Sequence, residues 1–147
     1  VNNNAIARSN KLTGLTAFEV TLSFSRFNLP VNNFVTGYVG VRFRSNGGDR
    51  YYSVRIFADC KLQFFDGDKQ LIELRAAPPE GCRQYDGPFY LVLTMDRSYS
   101  LQVKLNNSDP VPFVFNDLDG SHANGAIEIE ANNVNAQFDF IVVTATR

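Results

Sequence analysis

The sequence predicts an all-β protein, a two-sheet antiparallel β-sandwich of the jelly-roll type. Apolar and polar residues alternate with a period of two along most of the chain. About ten such runs are separated by clusters of Gly, Pro, Asn and Asp. No window keeps a helical period of useful length. The chain has 147 residues, 44% of them hydrophobic, which is enough to close a core. It shows no internal repeat and no linker, so one domain is expected over 1–147.

Each element has its own pattern. Val1 to Leu12 is Asn-rich and polar, and reads as an arm that pairs late or not at all. Phe18, Val20, Leu22 and Phe24 alternate with Glu19, Thr21, Ser23 and Ser25, a half-buried strand rich in β-formers. The loop from Asn28 to Asn33 ends it. In Tyr38 to Arg44, Val39, Val41 and Phe43 take one face, and Tyr38, Gly40, Arg42 and Arg44 take the other. A Gly- and Asn-rich turn from Ser45 to Asp49 leads to Tyr51 to Ala58. There Tyr52, Val54 and Ile56 oppose Tyr51, Ser53, Arg55 and Phe57. Lys61 to Phe65 follows, closed by Asp66-Gly67-Asp68. In Gln70 to Arg75, Ile72 and Leu74 face inward, and Glu73 and Arg75 outward. Pro78-Pro79-Glu80-Gly81 forbids a continuing central strand. Pro88 to Met95 and Tyr99 to Leu105 read as a hairpin pair. The turn from Asn106 to Asp109 leads to Val111 to Phe115, and Ile127 to Glu130 and Phe138 to Val143 close the chain.

Charge removes some functions. With 14 basic and 15 acidic residues the net charge is −1, without the basic excess that duplex nucleic acid demands. No apolar run approaches the roughly 20 residues that span a bilayer, so no membrane insertion is expected. The sequence shows no leader, implying either a matured chain or one that never carried a leader. The expected compartment is extracellular or secreted, with the cytoplasm as the alternative. Cys60 and Cys82 form one disulfide or remain two thiols. With a single histidine they do not make a four-ligand zinc site.

Several constellations are candidate sites. His122 lies in a loop with no nucleophile in a recognisable turn, so a solvated histidine is the expectation. Glu128 and Glu130 share a strand face about 6.5 Å apart. Retaining glycosidases use a comparable carboxylate spacing, but a solvent-facing strand reads the same way. Asp66-Gly67-Asp68 and Asn116-Asp117-Leu118-Asp119 offer too few oxygens for calcium and read as turns. No metal or cofactor is expected. The densest signal is an arginine-rich strand face bearing Arg42, Arg44, Arg55, Glu73 and Arg75. Such charges also keep a sheet face soluble, but the preference for Arg over Lys favours recognition. Fixed charged donors pair strongly with hydroxyls, and Tyr51, Phe57 and Phe65 are candidate platforms for the apolar face of a sugar.

With these residues in place the chain resembles the galectins, lectins that bind β-galactosides. Gly87-Pro88-Phe89-Tyr90-Leu91-Val92-Leu93, Tyr99 to Asn106, Val111 to Phe115 and Gly125 to Glu130 are similar to successive stretches of that family. Glu73-Leu74-Arg75 resembles its Glu-x-Arg, which holds sugar hydroxyls. The resemblance covers Phe18 to the end. It also departs from the family pattern. The family's His-x-Asn-Pro-Arg falls near Arg42-Phe43-Arg44-Ser45-Asn46, and its tryptophan falls at Gln70 in a chain with no Trp. Its next Asn ligand aligns with Arg55, Asp59 or Gln63. The resemblance implies a galectin-like, concanavalin A-like sandwich and a single carbohydrate-recognition domain without catalysis. The sugar ligands it implies are Arg42, Arg44, Asn46, Arg55, Gln63, Gln70, Glu73 and Arg75, with Glu73 also holding the neighbouring arginines. The expected partners are galactose-containing glycans and further copies of the chain, in a dimer or tetramer. Legume-lectin and laminin-G-like sandwiches are a wider alternative relation.

Overall fold

The computed structural model describes residues 4–13, 17–28, 37–45, 50–57, 61–67, 69–75, 88–98, 100–107, 109–114 and 125–146. Their regular elements are all strands: β1 (Asn4–Thr13), β2 (Phe18–Asn28), β3 (Tyr38–Ser45), β4 (Tyr52–Phe57), β5 (Lys61–Asp66), β6 (Lys69–Arg75), β7 (Phe89–Met95), β8 (Ser100–Leu105), β9 (Val111–Val114), β10 (Ala126–Asn132) and β11 (Asn135–Ala145). They form a six-stranded sheet in the order β1-β10-β3-β4-β5-β6 and a five-stranded sheet in the order β11-β2-β7-β8-β9. Every neighbouring pair is antiparallel.

The alternation decides which side of each strand is dry. Val39, Val41 and Phe43 of β3, Val54 and Ile56 of β4, and Leu62 and Phe64 of β5 are fully buried. They meet Val20, Leu22 and Phe24 of β2, Leu91 and Leu93 of β7, and Phe113 of β9, which are equally buried. Rings join the two layers: Phe18 meets Phe43 edge-on at 5.7 Å, and Phe64 meets Phe113 at 5.4 Å. Each such side chain contributes about 2–3 kcal/mol of burial. That is why period two, more than any single residue, specifies the two-layer fold.

Three features depart from the sequence reading. β1 is a full edge strand, pairing Asn4 with Asn132 through Arg8 with Glu128, so the polar arm does pair. Its Asn-rich composition hides this, because an edge strand facing water on one side needs few apolar residues. The alternation of β3 stops at Phe43: Arg44 is left-handed, with φ 52°, at the register shift that admits β10. Gly125 enters there against the Arg44 backbone, where a Cβ would lie 1.8 Å from the Arg44 carbonyl carbon. β11 runs well past Phe138 to Val143 at both ends, and its register shifts between Phe138 and Phe140.

Candidate functional site

The register of the six-stranded sheet lines up residues that are far apart in the chain. One transverse row reads Glu130 (β10), Gly40 (β3), Arg55 (β4), Gln63 (β5) and Glu73 (β6). The next row reads Glu128, Arg42, Ser53, Phe65 and Gln70. The members whose side chains are described lie on the face turned away from the core. Five of the eight expected ligands, Arg42, Arg55, Gln63, Gln70 and Glu73, thus occupy adjacent positions. Arg75 pairs in register with Lys61, one step further along β5 and β6. Arg44 is buried at the end of β3. Asn46 lies outside the described residues.

Gly40 makes the centre possible. Glu130 and Arg55 stand on strands two apart, about 9.6 Å at the backbone. Their side chains close that gap above Gly40. A Cβ on Gly40 would lie 2.7 Å from the Val54 carbonyl oxygen, 3.1 Å from Glu130 Oε1 and 3.2 Å from Arg55 Cγ. A glycine inside a strand weakens it and marks a close approach, and here the approach is between two charged side chains.

Glu130 is the hub. Its Oε1 accepts from Arg55 Nε at 2.8 Å and from the Ser53 hydroxyl. Its Oε2 accepts from Arg42 Nε at 2.5 Å. The Glu130 side chain is 2% exposed, against 8% for Arg55 and 15% for Arg42. Aromatic rings fix the guanidinium planes. Arg42 lies over the Tyr51 ring at 4.1 Å, and Arg55 over Tyr38 at 4.5 Å and Phe65 at 4.3 Å. Arg55 Nη2 also donates to the Tyr51 hydroxyl at 3.2 Å. Tyr38 in turn packs against Phe57, ring centres 5.2 Å apart. These contacts hold both cations in one geometry.

Titration follows the same contacts. Burial alone would lower the Arg55 pKa, but the charge and hydrogen bond of Glu130 outweigh it and raise the pKa, so Arg55 stays charged. Burial, reinforced by the Glu130 charge, pushes the Tyr38 phenol above its ordinary 10.0.

This geometry corrects the reading of Glu128 and Glu130 as a solvent-facing pair. They are 3% and 2% exposed. Glu130 holds two guanidiniums, and Glu128 stands in register between Arg8 and Arg42. A carboxylate whose two oxygens already accept three donors is a fixed counter-charge to the arginines. Glu130 holds Arg42 and Arg55, while Glu73, expected from the sequence to hold the neighbouring arginines, stands at the β6 end of the same row. The sequence reading missed Glu130, Ser53 and Tyr38 as parts of this site. Its one available signal was Gly40, an isolated glycine in an otherwise regular strand.

Asp59, Cys60, Asp68, Cys82, His122 and 116–119 also lie outside the described residues. Among the described residues no three His, Cys, Asp or Glu side chains cluster to hold a metal ion. Gly67, left-handed with φ 57°, turns β5 into β6, and its N–H donates to the Tyr51 carbonyl at 2.8 Å.

No protein-family model matches the sequence, and no curated protein matches it. Solved structures do match in shape. A carbohydrate-binding module from Bacillus subtilis superposes with a TM-score of 0.72 at 11% identity, over 97% of this chain and 83% of that one. Sheep galectin-11, solved with glycerol, gives 0.60 at 13% identity, over 97% and 98%. The metal-free carbohydrate recognition domain of Emp46p gives 0.65 at 10%, over 98% and 77%. At such identities the likeness is one of fold, and the chain has the two-sheet β-sandwich fold of the galectins.

Proposed function

We propose that this chain is a lectin that binds saccharides without catalysis on the outer face of its six-stranded sheet. The observation that carries the reading is the Glu130 hub: two guanidiniums held by one carboxylate and by aromatic rings, in rows shared with Gln63, Gln70 and Glu73. Sugar hydroxyls meet fixed donors there, and rings such as Tyr51 and Phe65 supply apolar surface. Structures of the same fold that are named as carbohydrate-binding domains support the reading. The galectin resemblance extends it to β-galactosides and related oligosaccharides, with Arg42, Arg44, Asn46, Arg55, Gln63, Gln70, Glu73 and Arg75 as the ligand set. An array of immobilised glycans, read with wild type beside Glu73→Ala and Arg55→Ala, tests it. Wild-type signal on galactose-terminated glycans that falls in both variants supports the reading. Signal on other sugars keeps the lectin and removes that specificity, and no signal from folded protein removes the lectin.

Single shallow sites bind weakly, so the proposal includes a second copy of the chain. β11 is an 11-residue edge strand on which Phe138, Phe140, Ile141 and Val142 are exposed. Its one charge, Asp139, accepts from Ser23 and Ser25 of its own sheet. An apolar, unpaired edge favours pairing with another strand, and an antiparallel second β11 offers the same stripe across a two-fold axis. Phe140→Asp is expected to convert a dimer to monomer in sedimentation velocity with little loss of stability. The same stripe favours one rival reading, a protein-interaction domain that keeps the sandwich without sugar binding. In that case Phe140→Asp abolishes activity and Arg55→Ala does not.

A further inference from the structure

The hub carboxylate has little left to offer a ligand. Glu130 spends Oε1 on Arg55 and Ser53 and Oε2 on Arg42, so its acceptor capacity is turned inward. On the donor side, Arg42 gives only its Nε to a protein acceptor among the described residues. Its terminal nitrogens, which carry four N–H groups, remain for a ligand. Arg42 is also the more exposed of the two guanidiniums, at 15% against 8%. Its plane is set by the Tyr51 ring at 4.1 Å.

A neutral sugar hydroxyl both donates and accepts, so a guanidinium satisfies half of it. A carboxylate or sulfate only accepts, and its paired oxygens match the flat fork of a guanidinium. We infer that Arg42 receives the acidic group of a carboxylated or sulfated saccharide, with Glu130 and Tyr51 holding its fork in place. The inference rests on the saccharide-binding reading and narrows it. Arg55, nearly enclosed by Tyr38, Phe65 and Glu130, serves to position Glu130 and with it Arg42.

Matched oligosaccharides that share one backbone and differ only in bearing a uronic or sialic carboxylate, a sulfate, or neither provide the test. Binding is measured by calorimetry for wild type, Arg42→Lys and Arg42→Gln, with thermal unfolding to confirm that each variant folds. The expectation is that wild type prefers the acidic forms by about tenfold or more, the worth of one charge-assisted pair. Arg42→Lys keeps the charge but not the fork and loses most of that preference, and Arg42→Gln loses all of it, binding acidic and neutral forms with equal affinity. Preference for the carboxylate over the sulfate, or the reverse, identifies which acid the fork fits. Equal affinity of wild type for acidic and neutral forms overturns the inference and leaves saccharide binding standing. An acidic preference unchanged in both variants overturns the assignment to Arg42. Binding of none of the oligosaccharides overturns the saccharide reading itself.

Discussion

On the outer face of the six-stranded sheet Glu130 is 2% exposed and accepts from two arginines at 2.5 and 2.8 Å. On the outer face of the five-stranded sheet Asp139 is exposed and accepts from Ser23 and Ser25 at 3.3 and 3.4 Å. Thr94 reaches Glu19 there at 3.4 Å. Both faces arise from the same alternation, and both carry carboxylates beside donors. One is a locked layer of charge and rings, the other a loosely paired, solvated surface. Burying ions costs solvation that exposed pairs keep. A sheet does not need such a layer to stay folded, as the five-stranded sheet shows, and the locked face is the one we propose for the ligand.

Removing the hub strains the contrast most. Glu130→Ala leaves the enclosed Arg55 without its counter-charge and is expected to cost about 3–5 kcal/mol in urea unfolding. Asp139→Ala, its counterpart on the other sheet, is expected to stay within about 0.5 kcal/mol. Similar losses in the two variants would erase the distinction between the faces.

Next comes the gap between the strands. Gly40→Ala adds one methyl group where the Val54 carbonyl, Glu130 and Arg55 already crowd. It is expected to cost about 1–3 kcal/mol and to weaken saccharide binding without touching a ligand. Thr21→Ala, on the outward side of β2, is expected to leave both unchanged. A Gly40→Ala protein with wild-type stability would show that Glu130 reaches Arg55 by another path.

The smallest effects are in pH. The folded pKa of Tyr38 is raised, first by burial and then by Glu130, so the unfolded chain gives up this proton first. The stabilisation is therefore complete below pH 10.0 and declines as pH climbs through the folded value. Tyr38→Phe should flatten that alkaline decline in denaturant midpoints. In the β7–β8 turn the sign reverses. The Ser98 hydroxyl, then the Ser100 and Ser98 N–H groups, hold the fully exposed Asp96 below its ordinary 3.8. Its small contribution is present above pH 3.8 and fades as pH falls through the folded value, and Asp96→Asn should remove that acid slope.

How much of this was legible depends on the range over which each interaction acts. Strands from Phe18 to Phe24 and from Val39 to Phe65 are written in a local period of two, and the turn at Asn106 in a residue that tolerates φ 53°. β11 was partly hidden because the shift at Asp139 breaks its alternation and leaves apolar residues on both faces. The arginines were legible as a face, yet their counter-charge was not. Arg42 and Glu130 are 88 positions apart, and only the insertion of β10 beside β3 brings them together. The outward carboxylates looked solvated because alternation tells sides apart but not burial. Gly40 carried a trace of the answer, since a strand interior keeps a glycine where another group must pass.

The most direct test compares Glu130→Gln and Asp139→Asn in titrations against the oligosaccharides bound by wild type. Both substitutions keep shape and remove one negative charge, one on each face. If the Glu130 hub holds the saccharide site, Glu130→Gln, still folded by near-UV circular dichroism, binds at least about tenfold more weakly and Asp139→Asn binds as wild type does. Wild-type binding by both variants would contradict the account and move the site off the six-stranded sheet.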